Sequence, residues 1–412
     1  MRVKHILFLT GVLTVLLGGL ATGYARAQTR LISGKVFDSH SHTPVAFASV
    51  RISGKPIGTV TNANGEFDFH IPETCLGDSL IISHVGYKSF RRKIDHLPQE
   101  ILSVGLQAIP VLLREIIIRG EDLTGKEIVA KAVNNLNLNY PTRPYCVEGF
   151  FRQIEEENGR YVLLAEAAVD IYDKNFDGER KKSLQETVDV KEMRRSLRFG
   201  TKGKRNNIGI PLTDLLENND VRYNRGMLDS SNTFSLDTIT VYNDRLVYGV
   251  SMKRGTDAGM LYIDIENFGF LKISMERKSR DNAKPFYDEH NINKSGKRRR
   301  IWFRFTVEFD WYNNKLYPKR MHESELNEIN DHSGALKITS VETLEFIVTD
   351  IIPEKENPAA KKLKYGMMIK AGDYHPEFWK TYNVLKLTPL DEKLIQDLER
   401  EISLQEQFEK QQ

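Results

Sequence analysis

Residues 58–69 read GTVTNANGEFDF, and the local chemistry of this stretch decides the fold of the N-terminal part of the chain. Asn62-Ala63-Asn64-Gly65 has the composition of a turn, because Asn and Gly tolerate the positive φ that tight hairpins require. Gly58 to Thr61 in front of it is short and β-branched. Behind it Phe67, Phe69 and Ile71 alternate with Glu66, Asp68 and His70, the period of a half-buried strand with one apolar face. Pro72 ends that strand. Outward from this hairpin the style repeats. Ile32 to Phe37 alternates and runs into a polar turn at Asp38 to Thr43. Ala48 to Ser53 is a strand closed by Gly54. Leu80 to His84 and Phe90 to Ile94 flank a turn at Gly86, and Ile101 to Leu106 makes a last strand. About seven short strands with turn signals at roughly 8–12-residue spacing read as an Ig-like sandwich.

Four pieces of this region carry a resemblance: G-K-V-F-D, the P-V-x-x-A-S-V run, the G-T-x-T-x-x-x-G-x-F run and the S-H-V-G-Y run. Together they resemble the carboxypeptidase-regulatory-like domain, which is similar to the N-terminal extension of many TonB-dependent outer-membrane receptors of Gram-negative bacteria. LLREIIIRG over 112–120 resembles the segment that joins such an extension to a receptor plug. KEIVAKAVNNLNLNYP and the ending FWKTYNVL…LEREISLQEQF are similar to a family of exported proteins named only for this domain. The resemblance implies an interaction module and no known reaction. The chain is not read as a receptor: a roughly 22-stranded barrel with its plug does not fit the remainder. The chain also ends on a charged helix pattern instead of an amphipathic membrane strand.

The first 27 residues read as a signal peptide. Arg2 and Lys4 start it, Ile6 to Leu20 is an apolar run too short for a comfortable span, and Ala25-Arg26-Ala27 has the form of a cleavage site. Removing Arg2, Lys4 and Arg26 from 59 basic residues leaves 56 against 56 acidic ones. A neutral mature chain has no global attraction to nucleic acid or anionic membrane. Two cysteines, Cys75 and Cys146, would sit in an oxidising compartment, and spacing alone leaves their pairing open.

Glu121 to Asn139 has a helical stripe of Ile128, Val129, Ala132, Val133 and Leu136, with Thr124 and Glu127 at capping-box spacing. From Tyr145 the chain alternates strands and short turns, at Tyr242-Asn243-Asp244, Asn267-Phe268-Gly269 and Asn313-Asn314-Lys315, which predicts an antiparallel meander. Phe176 to Arg205 is charged, with only sparse apolar residues. Leu212 to Leu216 is a short helix, and Leu390 to Gln412 a charged helix. The fold class is therefore mainly β. An Ig-like β-sandwich is followed by a helix and a larger curved antiparallel sheet (α+β), then a C-terminal helix. The expected units are signal peptide 1–27, sandwich 28–120, linking helix 121–143, β domain 144–352, and linker with terminal helical segment 353–412.

Candidate chemistry is sparse. Zinc peptidases hold their metal with H-x-x-E and a distant His. His70-Ile71-Pro72-Glu73 and His322-Glu323-Ser324-Glu325 fit the pair, and His375 follows the second one too closely. No G-x-S-x-G elbow occurs, and His332-Ser333-Gly334 is turn composition. Gly200 to Lys204 lacks the phosphate-loop register. Lys297 to Arg300 reads as a basic hairpin tip. Asp173 to Asp177 alternates acids but lacks the Gly and terminal Glu of a calcium loop. Phe378, Trp379 and Tyr382 read as a core-sealing plug before a ligand patch. No residue is assigned a catalytic, cofactor or metal role, and no cofactor is expected. The expected function is a non-enzymatic exported envelope protein whose partners are envelope proteins or an apolar ligand. A lipid or lipoprotein carrier is the alternative; GMLYIDIENFGFLKISME is reminiscent of carrier half-barrels. It would need a cavity lined by Tyr248 to Val250, Leu261 to Ile265 and Phe303 to Phe309. A zinc-dependent carboxypeptidase is the remaining alternative.

Overall fold

The computed structural model describes residues 29–98, 100–109, 123–176, 184–199, 209–223, 231–278, 297–330, 335–364, 366–370, 374–386 and 390–410. The signal-peptide, 112–120, 200–204 and 332–334 readings lie outside these residues.

The N-terminal sandwich has two sheets. One is β4 (Glu66–Pro72), β1 (Thr29–Asp38) and β7 (Leu102–Leu106), in that order. The other is β3 (Gly58–Val60), β2 (Ser49–Ile52), β5 (Ser79–Ser83) and β6 (Phe90–Lys93). Their inner faces close on Ile32, Val36, Val50, Ile52, Phe67, Phe69, Leu80, Ile82 and Val104. The 62–65 turn forms, but it crosses from β3 in one sheet to β4 in the other instead of closing a hairpin, and with a different division of labour. Gly65 alone takes positive φ, at 74°. Asn62 instead accepts from the backbone N–H of Asn64 at 2.9 Å and of Glu66 at 2.8 Å through its side-chain oxygen.

Two helices follow, α1 (Gly125–Asn134) and α2 (Leu136–Asn139), separated at Asn135. The capping box is present. Thr124 Oγ1 accepts from the Glu127 N–H at 3.3 Å, and Glu127 accepts from the Thr124 N–H at 2.8 Å. Thr124→Ala is expected to lower stability by about 1 kcal/mol, read as a shift of the urea midpoint.

The rest builds one antiparallel sheet of 11 strands. Its strands are β8 (Tyr145–Glu157), β9 (Arg160–Asp173), β10 (Thr187–Arg195), β11 (Thr233–Tyr242), β12 (Arg245–Arg254), β13 (Asp257–Asp264), β14 (Phe270–Lys278), β15 (Lys297–Tyr312), β16 (Lys315–Asn330), β17 (Leu336–Pro353) and the two-residue β18 (Lys361–Lys362). The order is β11 through β17, then β8, β9, β10 and β18. The chain therefore starts mid-sheet, builds one edge, crosses through α3 (Leu212–Glu217) and α4 (Asp220–Tyr223), and returns from the far edge. Phe346 of β17 closes the sheet against Phe151 of β8. Turns at Asn243-Asp244 and Asn313-Asn314 hold positive φ, as tight antiparallel connections require.

Three sequence expectations need correction. Thr187 to Arg195 is a strand; Val188 faces the core, while Arg194 is held by Glu166 at 2.6 Å, so the charges that masked it are paired ones. Lys297 to Arg300 is no hairpin tip but the first turnless run of β15, where Arg299 and Arg300 pair with Glu328 at 2.7 Å and Glu325 at 2.8 Å. The C-terminal segment holds three short helices, α5 (Pro376–Trp379), α6 (Leu390–Leu398) and α7 (Leu404–Glu409). Ser403 caps α7 through the Glu406 N–H at 3.2 Å, which breaks the expected single helix.

Both faces of the large sheet are covered. One face packs on α1, α2, α3 and α4; Phe303, Phe305, Val307 and Phe309 line it with Ile128, Leu215 and Val221. The other carries Phe150, Leu164 and Ile347 under Trp379, Leu394, Leu398 and Phe408 of the terminal segment, with Val60 of the sandwich in the same cluster. A sheet this wide, apolar on both sides, needs both covers.

Candidate functional site: the seam between sandwich and sheet

The sandwich docks on the outer face of the sheet through the same stretches that define its fold. The edge strand β3 lies against β17. Asn62 Nδ2 donates to the Lys386 carbonyl at 3.4 Å, and Lys386 pairs with Asp68 at 3.0 Å. At the edge of β4, Asn383 accepts from the His70 N–H at 2.7 Å and donates to the His70 carbonyl at 3.2 Å, as a neighbouring strand would. The S-H-V-G-Y turn joins β11, where the Gly86 N–H donates to the Val241 carbonyl at 2.8 Å.

At the centre, Phe47 of the P-V-x-x-A-S-V run adopts φ 57°, unusual for a bulky side chain. Its ring centroid lies 3.9 Å from the Arg320 guanidinium carbon and 6.3 Å from the His322 ring. Arg320 is 3% exposed. It donates to Glu345 at 2.6 and 3.2 Å and to Glu308 at 3.3 Å. Burial alone would raise the Glu308 and Glu345 carboxyls. Lys272, Lys319 and Arg320 overcome it for Glu308, and Arg320 with His322 for Glu345, so both titrate below the usual range.

His84 stands beside this network. Burial lowers its pKa to about 4, and Lys272 pushes the same way. A folded value below the unfolded one means protonation favours the unfolded chain. The stability held by neutral His84 is whole above about pH 6.5 and is lost as pH falls toward 4. A His84→Asn variant is expected to flatten the stability curve across that window by at most ~1.4 kcal/mol per pH unit. Urea titrations at stepped pH read it directly; an unchanged slope would show that His84 does not titrate there.

A cleft of about 40 Å³ of solvent-sized space opens where the domains meet. Arg51, Lys55, Pro56, Ile57 and Val60 line it from the sandwich, and Asp310, Trp311, Pro318, Lys319 and Ile351 from the sheet. Asp310 accepts from Asn243 Nδ2 at 3.0 Å and from the Trp311 N–H at 2.9 Å, and it faces Arg51 in an ion pair of 3.3 Å. Arg51 Nε and the Trp311 indole N–H are buried with no hydrogen-bond acceptor among the described residues, and Lys319 Nζ meets Tyr242 Oη at 3.4 Å and Glu308 at 3.9 Å.

The residues singled out from sequence do not converge. His322 and Glu325 lie three apart on β16, so strand alternation sends them to opposite faces. His322 meets Glu345 at 2.7 Å, while Glu325 pairs with Arg300. Glu73 is exposed beyond His70, and His375 meets Glu192 at 2.6 Å. Asp173, the head of the acidic run, accepts from Arg222 at 2.8 Å and from Tyr145 at 2.7 Å; Asp177 lies outside the described residues. Trp379 is buried under Arg194, whose guanidinium carbon is 4.3 Å away, and Phe378 stacks on Tyr382 at 4.9 Å. Cys75 and Cys146 are both free and buried; burial pushes the Cys146 thiol up to about 12, with Asp170 adding to it. The wall expected of a carrier cavity is packed. Val250, Leu261, Ile263, Phe303, Phe305 and Phe309 belong to the continuous core beneath α1 to α4. The seam residues Phe47, Trp311 and Arg320 were missed. The one signal for them was a bulky Phe between two alanines in a turn.

No helix among the described residues is long and apolar enough to cross a membrane. No curated protein matches the chain. A solved lipovitellin structure, described by its lipid–protein interactions, aligns at 12% identity and a TM-score of 0.24, covering 55% of this chain and 28% of that one. A 9R-lipoxygenase from Cyanothece PCC8801 aligns at 12% identity and a TM-score of 0.17, covering 78% and 42%. The chain thus spans less than half of either, and neither likeness reaches the level of a shared fold. Residues 32–118 match the family model of the CarboxypepD_reg-like domain, so the sandwich that carries GTVTNANGEFDF is a domain of that non-catalytic kind.

Proposed function

We propose that this chain is an exported, non-catalytic binding protein of a Gram-negative cell envelope, periplasmic or attached to the outer membrane. Sandwich and sheet act as one body, and the seam between them receives a ligand or a partner segment. The observation that supports this reading is how the seam is built. The sandwich's signature runs are spent on docking, and the buried charges there neutralise one another instead of pairing a nucleophile with a base. A pocket at a domain boundary, apolar with a few convergent polar groups, is the common form of a binding site. The exported setting rests on the signal-like start and on the domain family.

The test is affinity capture from native envelope with the full mature chain and with an Ile57→Trp variant that fills the cleft. Capture lost in the variant, at unchanged thermal stability, is the expected result. Identical capture by both proteins overturns the seam as the binding site. Stoichiometric zinc together with peptide hydrolysis overturns the non-catalytic reading.

A further inference from the structure

The sandwich has four sheet edges, and three of them are closed. β3 lies against β17, and β4 is met by Asn383. β6 exposes Arg91, Arg92 and Lys93, the kind of charge that keeps an edge strand from pairing. The fourth edge is stepped. β7 covers β1 from Gly34, beside Leu102, to Asp38, beside Leu106. From Thr29 to Ser33 the ladder among the described residues runs on the β4 side alone. Alternation assigns the free groups. The Val36 N–H donates to the Gly65 carbonyl at 2.7 Å on the β4 side, and the Ser39 N–H to the Leu106 carbonyl at 2.8 Å on the β7 side. Residues two apart point the same way, so the N–H and C=O of Leu31 aim at the side that β7 leaves bare. This bare run borders a groove flanked on its other side by Pro98, Glu100 and Ile101. Its solvent-sized space is about 440 Å³, on the order of 30 waters, which leaves room for an extended segment. Leu31 is 51% and Ile101 70% exposed, so two large apolar side chains stand in water at the same place.

We propose that this step is the docking edge for a second copy of the chain, with the two β1 strands antiparallel about a twofold axis at Leu31. The pattern is self-complementary, as an isologous contact must be. Leu31 exchanges both main-chain bonds with its counterpart, and Ser33, which points the same way, meets the counterpart of Thr29. The two Leu31 side chains fall directly opposite each other. Each β7 begins only past the step, so the two steps interlock and the β7 strands stay apart. Charge follows the same symmetry. With Leu102 beside Gly34, Glu100 flanks Ile32, and the register sets the second copy's Arg30 opposite Ile32. Glu100 is exposed and has no ion pair among the described residues. Arg30 reaches the Ile94 and Leu97 carbonyls at 3.4 Å, longer than a good hydrogen bond. The bare edge lies across its sheet from β4 and Asn383, so pairing leaves the seam as it is. The inference is independent of the seam's role as a binding site.

Sedimentation of the mature chain, residues 28 to 412 with no added N-terminal residues, tests it from about 1 to about 300 µM. One short strand pair makes a small interface, so a reversible dimer with a micromolar dissociation constant is expected. Leu31→Lys sets like charges directly opposite and should weaken the dimer about tenfold or more. Glu100→Arg and Arg30→Glu should each weaken it as well, and the two together should restore it to within about threefold of the parent. That restoration separates a lost contact from a misfolded variant, and thermal midpoints are read alongside. A chain that stays monomeric throughout overturns the inference, as does a dimer that all three substitutions leave unchanged. A monomer whose capture of envelope proteins is lost in Leu31→Lys puts a different protein on the edge and overturns the second copy as its occupant. The Ile57→Trp capture experiment reads the seam separately, so either proposal can fail while the other stands.

Discussion

Arg320→Ala is expected to destabilise the folded protein by about 3–5 kcal/mol, among the largest effects of any single side chain at the seam. The residue is buried, and its guanidinium is shared between Glu345 and Glu308 beneath the Phe47 ring. Truncation leaves Glu345 facing His322 at 2.7 Å and Glu308 facing Lys272 at 3.2 Å and Lys319 at 3.9 Å in a site that has excluded water, and the cost is that of buried charge stripped of part of its counter-charge. Phe47 loses the surface on which its left-handed backbone rests. The acid limb carries a second signature. Glu308 and Glu345 have folded pKa values below their unfolded ones, so the stability they contribute is present above about pH 4.5 and is lost as pH falls through the lower folded values. In Arg320→Ala that limb should shrink. Urea unfolding at neutral and acid pH reads both. A loss under ~1 kcal/mol at neutral pH would mean that the network is solvated. Adding Glu345→Gln to Arg320→Met should recover part of the loss, because residue 345 then carries no charge short of its partner while Glu308 keeps Lys272 and Lys319.

Phe309→Ala is the matching change on the other face, again with an expected cost of about 3–5 kcal/mol. Phe309 has 0% exposure. Its ring meets Tyr140 edge-on at 5.2 Å and Phe176 at 5.9 Å, and those two stack at 4.4 Å. Tyr140 is in turn fixed by its hydroxyl, which donates to the Phe270 carbonyl at 2.9 Å. The trio ties α2, the end of β9 and β15 into one packing unit. Removing the central ring leaves a void that surrounding side chains fill only in part. The near-UV circular dichroism of the tyrosines should weaken along with the urea midpoint. Phe309→Leu, which keeps most of the volume, should cost well under half as much. Equal losses in the two variants would show that the cost lies elsewhere than in the void.

How much of this was legible before the fold was known depends on range. GTVTNANGEFDF announced its own turn and the strand after it, because turn chemistry and strand alternation act over a few residues; that the turn carries the chain from one sheet to the other instead of closing a hairpin was not local information. The Thr124–Glu127 cap was equally local. The meander from β11 to β17 was readable because its turns are short and marked by Asn, Asp and Gly. β10 was not, since its charges read as solvated until Glu166 and Asp170 are brought beside it from β9. The seam was invisible for the same reason. Phe47 and Arg320 are ordinary residues in ordinary stretches, and only the docking of one domain on another makes them neighbours. Sequence did suggest H-x-x-E at 322–325. A strand period of two, once β16 is known to be a strand, is enough to separate the pair.

The mid-sheet start of the chain has a consequence for how the protein is made. Tyr145 to Glu157 is synthesised long before Leu336 to Pro353, yet the two lie side by side in thirteen paired positions. Until the last long strand arrives, the early β8–β9 hairpin presents a bare edge with Phe150 and Phe151 behind it. Closing a loop of this length is slow, and an unpaired edge invites the wrong partner while it waits. The maturation of this chain is therefore governed by a late event, and a chaperone that shields β8 should raise the yield more than any substitution that strengthens the finished fold.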